Sequence, residues 1–228
     1  MVEIQYLGHS FVLLKYSKIN VLVDPFLSDN HEDSNFKRIV KCPVTEKSLK
    51  DIGLILLTQE FFDHCEKKTV ERISKRDNAL VVATQNILND LDISKNLAIP
   101  VSGHEKKVLR GITIDVIPSH YPRSFYPVSY LIEGEGKKIF HAGATVLSDF
   151  FEEIKADVAL LPIGGQISMD LVDAVKATKT MKPEYVIPIQ YNTWNNIKAD
   201  PKEFVQRIEK SILKTIPVIL QPGESFKY

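Results

Sequence analysis

The sequence predicts a mixed α/β and α+β protein, a four-layer αββα sandwich in which two sheets pack face to face and helices cover both. Apolar runs predict a β-meander in the first quarter of the chain, and from about residue 148 predicted helices and strands alternate. Strands in both halves need covering layers for their apolar faces, which the sandwich provides. The chain has 228 residues, 44% of them hydrophobic, so we expect a single domain over residues 1–228.

The first half of the chain begins with three predicted strands, EIQYL, FVLLKY and INVLVD. Residues 28–50 are polar and irregular, which predicts a long surface loop of the kind that often borders a site. The run GLILLT predicts a buried strand, and EKKTVERISK places Val70 and Ile73 at helical spacing. A strand at ALVVAT and a short helix near NILNDL follow.

The second half opens with four strand-like runs, KKVLRG, ITIDVIP, VSYLIEG and KKIFHAG. The turn GEGKK favours a hairpin between the last two. Helices at DFFEEI and MDLVDAVKATKTM then alternate with strands at DVALLPI and YVIPI, before a final helix and PVILQPG. We expect Asp200 to cap the final helix, Pro201 to occupy its first turn and Glu203 to complete a capping box.

Charge and composition argue against several classes of function. Lys plus Arg and Asp plus Glu both number 29, so the chain lacks the broad positive field that non-specific nucleic-acid binding needs. The N-terminus has no basic leader, and no apolar run approaches ~18 residues, so we expect a cytoplasmic protein without a membrane partner. Cys42 and Cys65 form no CxxC pair and are expected to be free thiols.

The segment LLTQEFFDHCE, residues 56–66, carries the clearest chemical signal. An apolar run ends at Thr58, and Asp63 and His64 follow within a few residues. This order is typical of a strand that is followed by a metal-ligand loop. Two of the places where further ligands are expected hold Gln59 and Phe61.

The motifs of the chain, in their order, resemble the metallo-β-lactamase superfamily. They are YLGHS, LVDPFL, LLTQEFFDH, PSH, FHAGAT, LLPIGGQ, IPIQYNT and LQPGE. More narrowly, they are similar to a branch of small metal-dependent hydrolases that includes L-ascorbate-6-phosphate lactonase. The resemblance covers nearly the whole chain and implies the metallo-β-lactamase fold.

The resemblance also implies where the ligands of a two-metal centre would stand. Three of seven positions keep a ligand: Asp63, His64 and His120. The other four positions hold residues of a different kind: Gln59, Phe61, Ala144 and Gln190. A further position, where the family often has a His after IGG, holds Gln166.

These replacements predict that a two-metal centre is not assembled. Two dications ~3.5–4 Å apart need a bridging anion, and Ala144 offers none. Phe61 has no lone pair, and a carboxamide such as Gln59 is a weak ligand for zinc. We therefore expect no cofactor. The alternative is a single zinc or manganese ion at Asp63, His64 and His120. Cys65 is not expected to be a ligand, because it is adjacent to His64 and its side chain would have to reverse direction.

Each of these residues also has a structural interpretation. Asp63 is then a carboxylate at a helix start, His64 an ordinary hydrogen-bonded His, and His120 a surface residue at a strand end. In the family, the residue that corresponds to Asp24 braces the ligand loop. His9 and His141 lie in scaffold motifs near the cleft, and we expect all three to have supporting roles.

Two further groups of residues are expected at the cleft. Gly164 and Gly165 predict a tight turn from strand to helix before Gln166, either for packing or for binding an anion through exposed N–H groups. Five aromatic residues are expected at its rim, as ligand-stacking groups or as filler: Tyr121, Phe125, Tyr126, Tyr191 and Trp194.

Two functional hypotheses follow. The first is a pseudoenzyme or diverged member whose former metal cleft, at Gln59, Phe61, Ala144, Gln166 and Gln190, binds a small molecule or a protein. The alternative is a slow hydrolase of a small ester, lactone or phosphoester that uses one metal or none, with His64 or His120 as general base beside Asp63. By analogy with other proteins of the fold, we also expect a homo-oligomer.

Overall fold

The computed structural model describes residues 1–29 and 36–228, and its strands form two seven-stranded sheets. The strands of the first sheet are β1 (Glu3–Gly8), β2 (Phe11–Lys15), β3 (Asn20–Val23), β4 (Ile52–Leu56), β5 (Leu80–Ala83), β6 (Ala98–Pro100) and β14 (Ser225–Lys227). Strands β14, β1, β2 and β3 pair antiparallel, which gives the predicted meander. Strands β3 to β6 continue the sheet in parallel.

The second sheet has the same plan, with an antiparallel part and a parallel part. Its strands are β7 (Lys106–Leu109), β8 (Ile112–Pro118), β9 (Val128–Gly134), β10 (Lys137–His141), β11 (Val158–Pro162), β12 (Tyr185–Ile189) and β13 (Ile216–Pro217). Strands β7 to β10 pair antiparallel, and β10 to β13 are parallel. Strands β9 and β10 form the predicted hairpin.

Four helices cover the outer faces of the sheets. They are α1 (Lys67–Asp77), α2 (Gln85–Asn89), α3 (Leu171–Met181) and α4 (Pro201–Glu209). Val70 and Ile73 of α1 join the core cluster beneath the first sheet, and Phe204 and Ile208 of α4 join the cluster beneath the second. Helical spacing thus brings the apolar side chains of each helix onto the sheet that it covers.

The core between the two sheets follows from the two-residue period of the strands. In β4, Leu54 and Leu56 face the second sheet, whereas Ile55 faces α1. Ile114 and Ile132 of the second sheet meet them in the same central cluster. Each such fully buried side chain contributes about 1.5–3 kcal/mol by leaving water. Helix, sheet, sheet and helix therefore form four layers, and the predicted αββα sandwich is confirmed.

Loops that follow parallel strands of both sheets meet at one edge of the sandwich. The backbone N–H of Val128 donates to Thr58 O, and that of Gln190 donates to His9 O. The first bond connects the start of β9 to the loop after β4. The second connects the end of β12 to the turn after β1. The two sheets therefore bring their polar loops to a common cleft.

Several local predictions need correction or fall outside the described residues. Asp200 caps α4 by accepting Lys202 N–H, but no capping box forms because Glu203 pairs with Arg207 one turn later. The predicted helix at DFFEEI is a single 3-10 turn, Asp149–Glu152. Of the predicted loop 28–50, residues 30–35 lie outside the described part.

The cysteine and membrane predictions can be compared with the described structure. Both cysteines are free, and Cys65 is buried in the core beneath α1. No helix in residues 1–29 and 36–228 has the length and apolar character needed to cross a membrane.

Candidate functional site

The loop after β4 is held in place by a buried carboxylate. Asp24, in the loop after β3, is fully buried and accepts the backbone N–H of Thr58 at 2.8 Å and its hydroxyl at 2.6 Å. Gly143 fits against the same threonine, because a Cβ there would lie 2.7 Å from Thr58 Oγ1. Loops from both sheets therefore pack around Asp24 and Thr58.

Asp24 also orients His64. The second carboxylate oxygen, Oδ2, lies 2.6 Å from His64 Nδ1, and both side chains are fully buried. Burial lowers the pKa of His64, but the charge of Asp24 outweighs it and raises that pKa above its usual value. Because Nδ1 faces Asp24, Nε2 is the ring nitrogen that His64 presents to the cleft, where Gln190 lies.

His9 reaches the same place from the turn after β1. It has a left-handed backbone, with φ of 57°, and its Nδ1 lies 3.0 Å from Thr193 Oγ1. Its other ring nitrogen, Nε2, lies 3.2 Å from Asp63 Oδ2. That distance suits an ion pair, and the buried Nε2 has no other partner among the described residues.

The charges of His9 and Asp63 depend on each other. Burial lowers the pKa of His9 below its usual value, although Asp63 acts in the opposite direction. Burial also disfavours the charged form of Asp63, but contact with His9 and the nearby His64 outweigh it and hold its pKa at about 2. Asp63 is therefore a carboxylate at neutral pH, beside two imidazoles.

His9, Asp63 and His64 together form a set of donors that suits a metal ion. One ligand atom from each lies within 4.8 Å of the others. Two imidazole nitrogens and one carboxylate oxygen are the number and the kind of protein donors found in catalytic zinc sites. We call these three residues the metal cluster.

Two buried carboxamides, Gln190 and Gln59, have an oxygen atom without a hydrogen bond. Gln190 Nε2 lies 3.2 Å from His64 Nε2, and Gln190 Oε1 is buried without a hydrogen bond. Gln59 Oε1, in the loop anchored by Asp24, is also buried and unpaired. An unpaired buried oxygen costs free energy, which a cation in contact with it would remove. The unpaired oxygen of Gln190, beside His64, and the donors of the metal cluster therefore fit one metal ion.

The residues present do not fit a second ion. Phe61 packs edge to face on Tyr121, with ring centroids 6.1 Å apart, and Ala144 is buried with only a methyl group to offer. His120 is exposed, and its backbone N–H donates to Thr145 Oγ1. The structure thus brings His9, rather than the predicted His120, to Asp63 and His64.

The structural interpretation of Asp63 was wrong. Helix α1 begins at Lys67 with Glu66 as its N-cap, so Asp63 lies in the turn before the helix and cannot stabilise its first residues. His141 differs from the cluster because both of its ring nitrogens have partners. Nε2 faces Ser10 O at 2.8 Å, and Nδ1 accepts Gly143 N–H at 3.2 Å. His141 is therefore not available to a ligand.

A small cavity of about 90 Å³ opens beside the metal cluster. Gln166 lines it, and its Nε2 donates to Asn196 O at 2.8 Å. Of the five aromatic residues expected at the rim, Tyr121 and Trp194 line this cavity. Phe125 and Tyr126 are exposed and line a different cavity, and Tyr191 lies in a third one.

Four residues around this cleft have strained backbone. His9, Asp24, Gln166 and Gln190 all have a positive φ, between 49° and 66°, although none is glycine. Such conformations cost on the order of 1–3 kcal/mol each and persist mainly where function or dense packing requires them. The predicted tight turn at residues 164–165 is present, and a Cβ at Gly164 would collide with Gln190 O, so packing explains that glycine.

His9 is the site residue that sequence reasoning missed as a donor. It was expected to be a supporting residue, because it stands 54 positions before Asp63 in a scaffold motif. The available signal was its place directly after Gly8, at the end of the first strand. A histidine at a strand end can lie in a cleft that is formed by the loops of other strands. Spacing in the sequence does not show which loops form that cleft.

Comparisons with known proteins agree with this fold. Residues 3–190 match the family model described as Beta-lactamase superfamily domain. A UPF0173 metal-dependent hydrolase of Sulfurisphaera tokodaii is 34% identical, with 99% of each chain covered. One from Thermococcus kodakarensis is 35% identical, with 100% of each chain covered. The structure of a metallo hydrolase from Ignicoccus hospitalis superposes with a TM-score of 0.81 at 28% identity, covering 100% of this chain and 99% of that one.

The names of these relatives bear on the functional hypotheses. They describe a metal and a hydrolytic activity, and therefore give no support to the prediction of a pseudoenzyme without a cofactor. The more coarsely stated prediction, a hydrolase-like protein of this fold, is supported.

Proposed function

Because the chain belongs to the Beta-lactamase superfamily, whose model matches residues 3–190, we propose that it is a hydrolase that works with one metal ion. The relatives named metal-dependent hydrolases cover essentially the whole chain, which supports a metal and a hydrolytic reaction. The ligands that we propose are His9, Asp63 and His64. A second ion is not part of the proposal, since Phe61 and Ala144 offer it no donor atom.

The observation that carries the proposal is the concentration of unpaired polar atoms at one place. Gln190 Oε1 and Trp194 Nε1, in residues that line the cavity beside Asp63, are buried without a hydrogen bond. His9 Nε2, at the same cavity, has only the carboxylate of Asp63, at 3.2 Å. Natural proteins leave few buried polar groups unpaired, so such a concentration points to a bound ion or ligand. A cleft that had turned into ordinary core would be expected to pair these atoms or replace them with apolar ones.

The side chains of this protein prepare both imidazoles as donors. Thr193 lies at Nδ1 of His9 and Asp24 at Nδ1 of His64, so the Nε2 atom of each ring is available. The carboxylate of Asp63 supplies negative charge to balance a cation. When bound, a metal ion in such a site lowers the pKa of a coordinated water and polarises the bond to be cleaved.

The substrate is proposed to be small and hydrolysable, such as an ester, a lactone or a phosphoester. The cavity beside the metal cluster measures about 90 Å³, so only the reacting part of a molecule fits next to His9 and Asp63. Amide and indole N–H groups of Gln166, Gln190 and Trp194 line this cavity and can orient polar groups of the substrate.

The test combines metal content with hydrolysis. The full chain, purified without chelator or metal-affinity resin, should contain about one metal ion by elemental analysis, as a three-donor site predicts. It should cleave at least one of p-nitrophenyl acetate, a small lactone and bis-p-nitrophenyl phosphate. EDTA should abolish that activity, and added zinc or manganese should restore it. Absence of metal, or bound metal without hydrolysis of any of the three, would reject the proposal in favour of a binding protein.

A further inference from the structure

Arg38 is a buried cation without an acidic partner in the described ranges. Its side chain is 7% exposed, and no carboxylate of residues 1–29 or 36–228 lies within ion-pair distance. Its Nη1 donates to Phe26 O at 2.9 Å, and the guanidinium lies 4.5 Å from the centre of the Phe26 ring. These contacts hold the group but do not neutralise it. Buried charges are normally paired, because removing an ion from water is costly.

Within residues 1–29 and 36–228, the guanidinium of Arg38 makes few of the hydrogen bonds that it could make: besides the bond from Nη1, it has a side-chain contact with Cys42. A guanidinium has five N–H donors, of which one, on Nη1, donates to an oxygen atom of the described residues. Nε is buried without a partner. Nη2 lies over Gly8, where a Cβ would come within 2.8 Å, so the glycine makes room for it. Asp29 is nearby in sequence, but its carboxylate accepts the backbone N–H of Cys42.

Arg38 lines a cavity of about 160 Å³ that contains no acidic residue among its described walls. Tyr191 and Gln221 also line it. Burial raises the pKa of Tyr191 to about 12, with a further contribution from Glu224, so its hydroxyl keeps its proton at neutral pH. The Gln221 side chain provides an amide donor. A permanent positive charge and two neutral donors therefore face a space that fits a small group.

From this arrangement we propose that the cavity at Arg38 binds a small oxyanion, a phosphate or a carboxylate. The guanidinium fork matches the spacing of two oxygens on either group. The site is separate from the metal cluster, since the cavity at Arg38 and the one beside Asp63 share a single wall residue, His9. The anion would lie on the side of His9 that faces Thr193, opposite to Asp63.

The test measures binding of inorganic phosphate and of acetate to the full chain by isothermal titration calorimetry. Metal-free and metal-loaded protein are compared, so that the result does not depend on hydrolysis. Arg38→Gln removes the charge while keeping a polar side chain, and should weaken phosphate binding by about tenfold or more. Arg207→Gln is the matched control, because Arg207 is an exposed residue of α4 that pairs with Glu203 and lines neither cavity. It should leave phosphate binding unchanged.

Three results would count against an oxyanion site at Arg38. The proposal would be overturned by unchanged phosphate binding in Arg38→Gln, by an equal loss of binding in Arg207→Gln, or by no saturable binding of either anion to the wild type. If Arg38→Gln does not fold, Arg38→Lys keeps the charge but not the fork, and should also bind phosphate more weakly than the wild type. Tighter binding of phosphate than of acetate, or the reverse, identifies which oxyanion the site prefers.

Discussion

The two sides of the loop after β4 differ in what their side chains can bind. On one side, His64 presents a ring nitrogen to the cleft, and the buried carboxylate of Asp24 holds the ring in place. On the other side, Phe61 packs against Tyr121, and His120 is exposed. The side that retains a buried supporting carboxylate also retains the donors. The buried charge of Asp24 needs a partner, and His64 provides one, so the donor and its support stabilise each other.

The largest expected effect comes from removing a donor on the supported side. His64→Ala should weaken zinc binding by about 100-fold or more, because it removes one of the three proposed donors. It also leaves the buried Asp24 with only its two bonds from Thr58. Elemental analysis and calorimetric titration measure the loss. His104→Asn is the control, since His104 is exposed and asparagine tolerates its left-handed backbone. If His64→Ala binds zinc with wild-type affinity, the metal cluster is not the zinc site.

The next effect tests the support itself. Asp24→Asn keeps the shape but removes the charge beside His64, and should weaken zinc binding by about 10–100-fold. The free energy of unfolding, measured by urea denaturation without metal, should fall by about 1–3 kcal/mol, because a buried hydrogen-bond network is disturbed. Asp92→Asn, at an exposed position, should change neither quantity. A stability loss with unchanged zinc affinity would mean that Asp24 only braces the loop.

A third variant should strengthen the supported side. Gln190 has a left-handed backbone and lies 3.2 Å from His64, and histidine tolerates such a backbone better than most residues. Gln190→His should tighten zinc binding by about tenfold, because zinc prefers an imidazole to a carboxamide. Competition with a chelator of known affinity measures the gain. If the affinity stays the same, Gln190 does not face the ion.

On the other side of the loop, a change should affect stability and leave the metal alone. Phe61→Ala removes an edge-to-face contact with Tyr121 and should lower the free energy of unfolding by about 0.5–1.5 kcal/mol. Zinc affinity should stay within about twofold of the wild type, because the ring is not a donor and the substitution keeps the Phe61 carbonyl that accepts the N–H of His64. Phe125→Ala is the control, because Phe125 is 82% exposed. A large fall in zinc affinity would show that the two sides are coupled.

The smallest expected effect is at His120. His120→Ala should leave both zinc affinity and the free energy of unfolding within about 0.5 kcal/mol of the wild type, as is usual at exposed positions. Calorimetry and urea denaturation check the two quantities. Loss of the metal in this variant would restore His120 as the third ligand and exclude the set that contains His9.

Much of the fold could be predicted because its signals are local. Apolar runs such as GLILLT, and helical spacing at Val70 and Ile73, depend on neighbours in sequence, and the structure has the expected strand and helix there. The prediction failed where a competing contact was decisive. Glu203 could cap α4 or pair with Arg207, and the sequence shows both partners without showing which is closer.

The candidate site could be predicted only in part. Asp63 and His64 are adjacent, so their common position near a strand end follows from sequence alone. Whether His9 or His120 joins them depends on how the turn after β1 and the loop after β8 lie across the sandwich. Both histidines follow strands, and the residues around them do not distinguish an inward from an outward direction.

Residue identity and short-range spacing are sufficient to predict the order of most strands and helices, the Asp63–His64 pair, and the lack of donors at Phe61 and Ala144. Packing of the two sheets is needed to know that His9 meets Asp63 at 3.2 Å, that Asp24 orients His64, and that Arg38 is buried without an acidic partner among the described residues. Such contacts join atoms far apart in sequence, and they form only because two packed sheets bring separate loops to one edge.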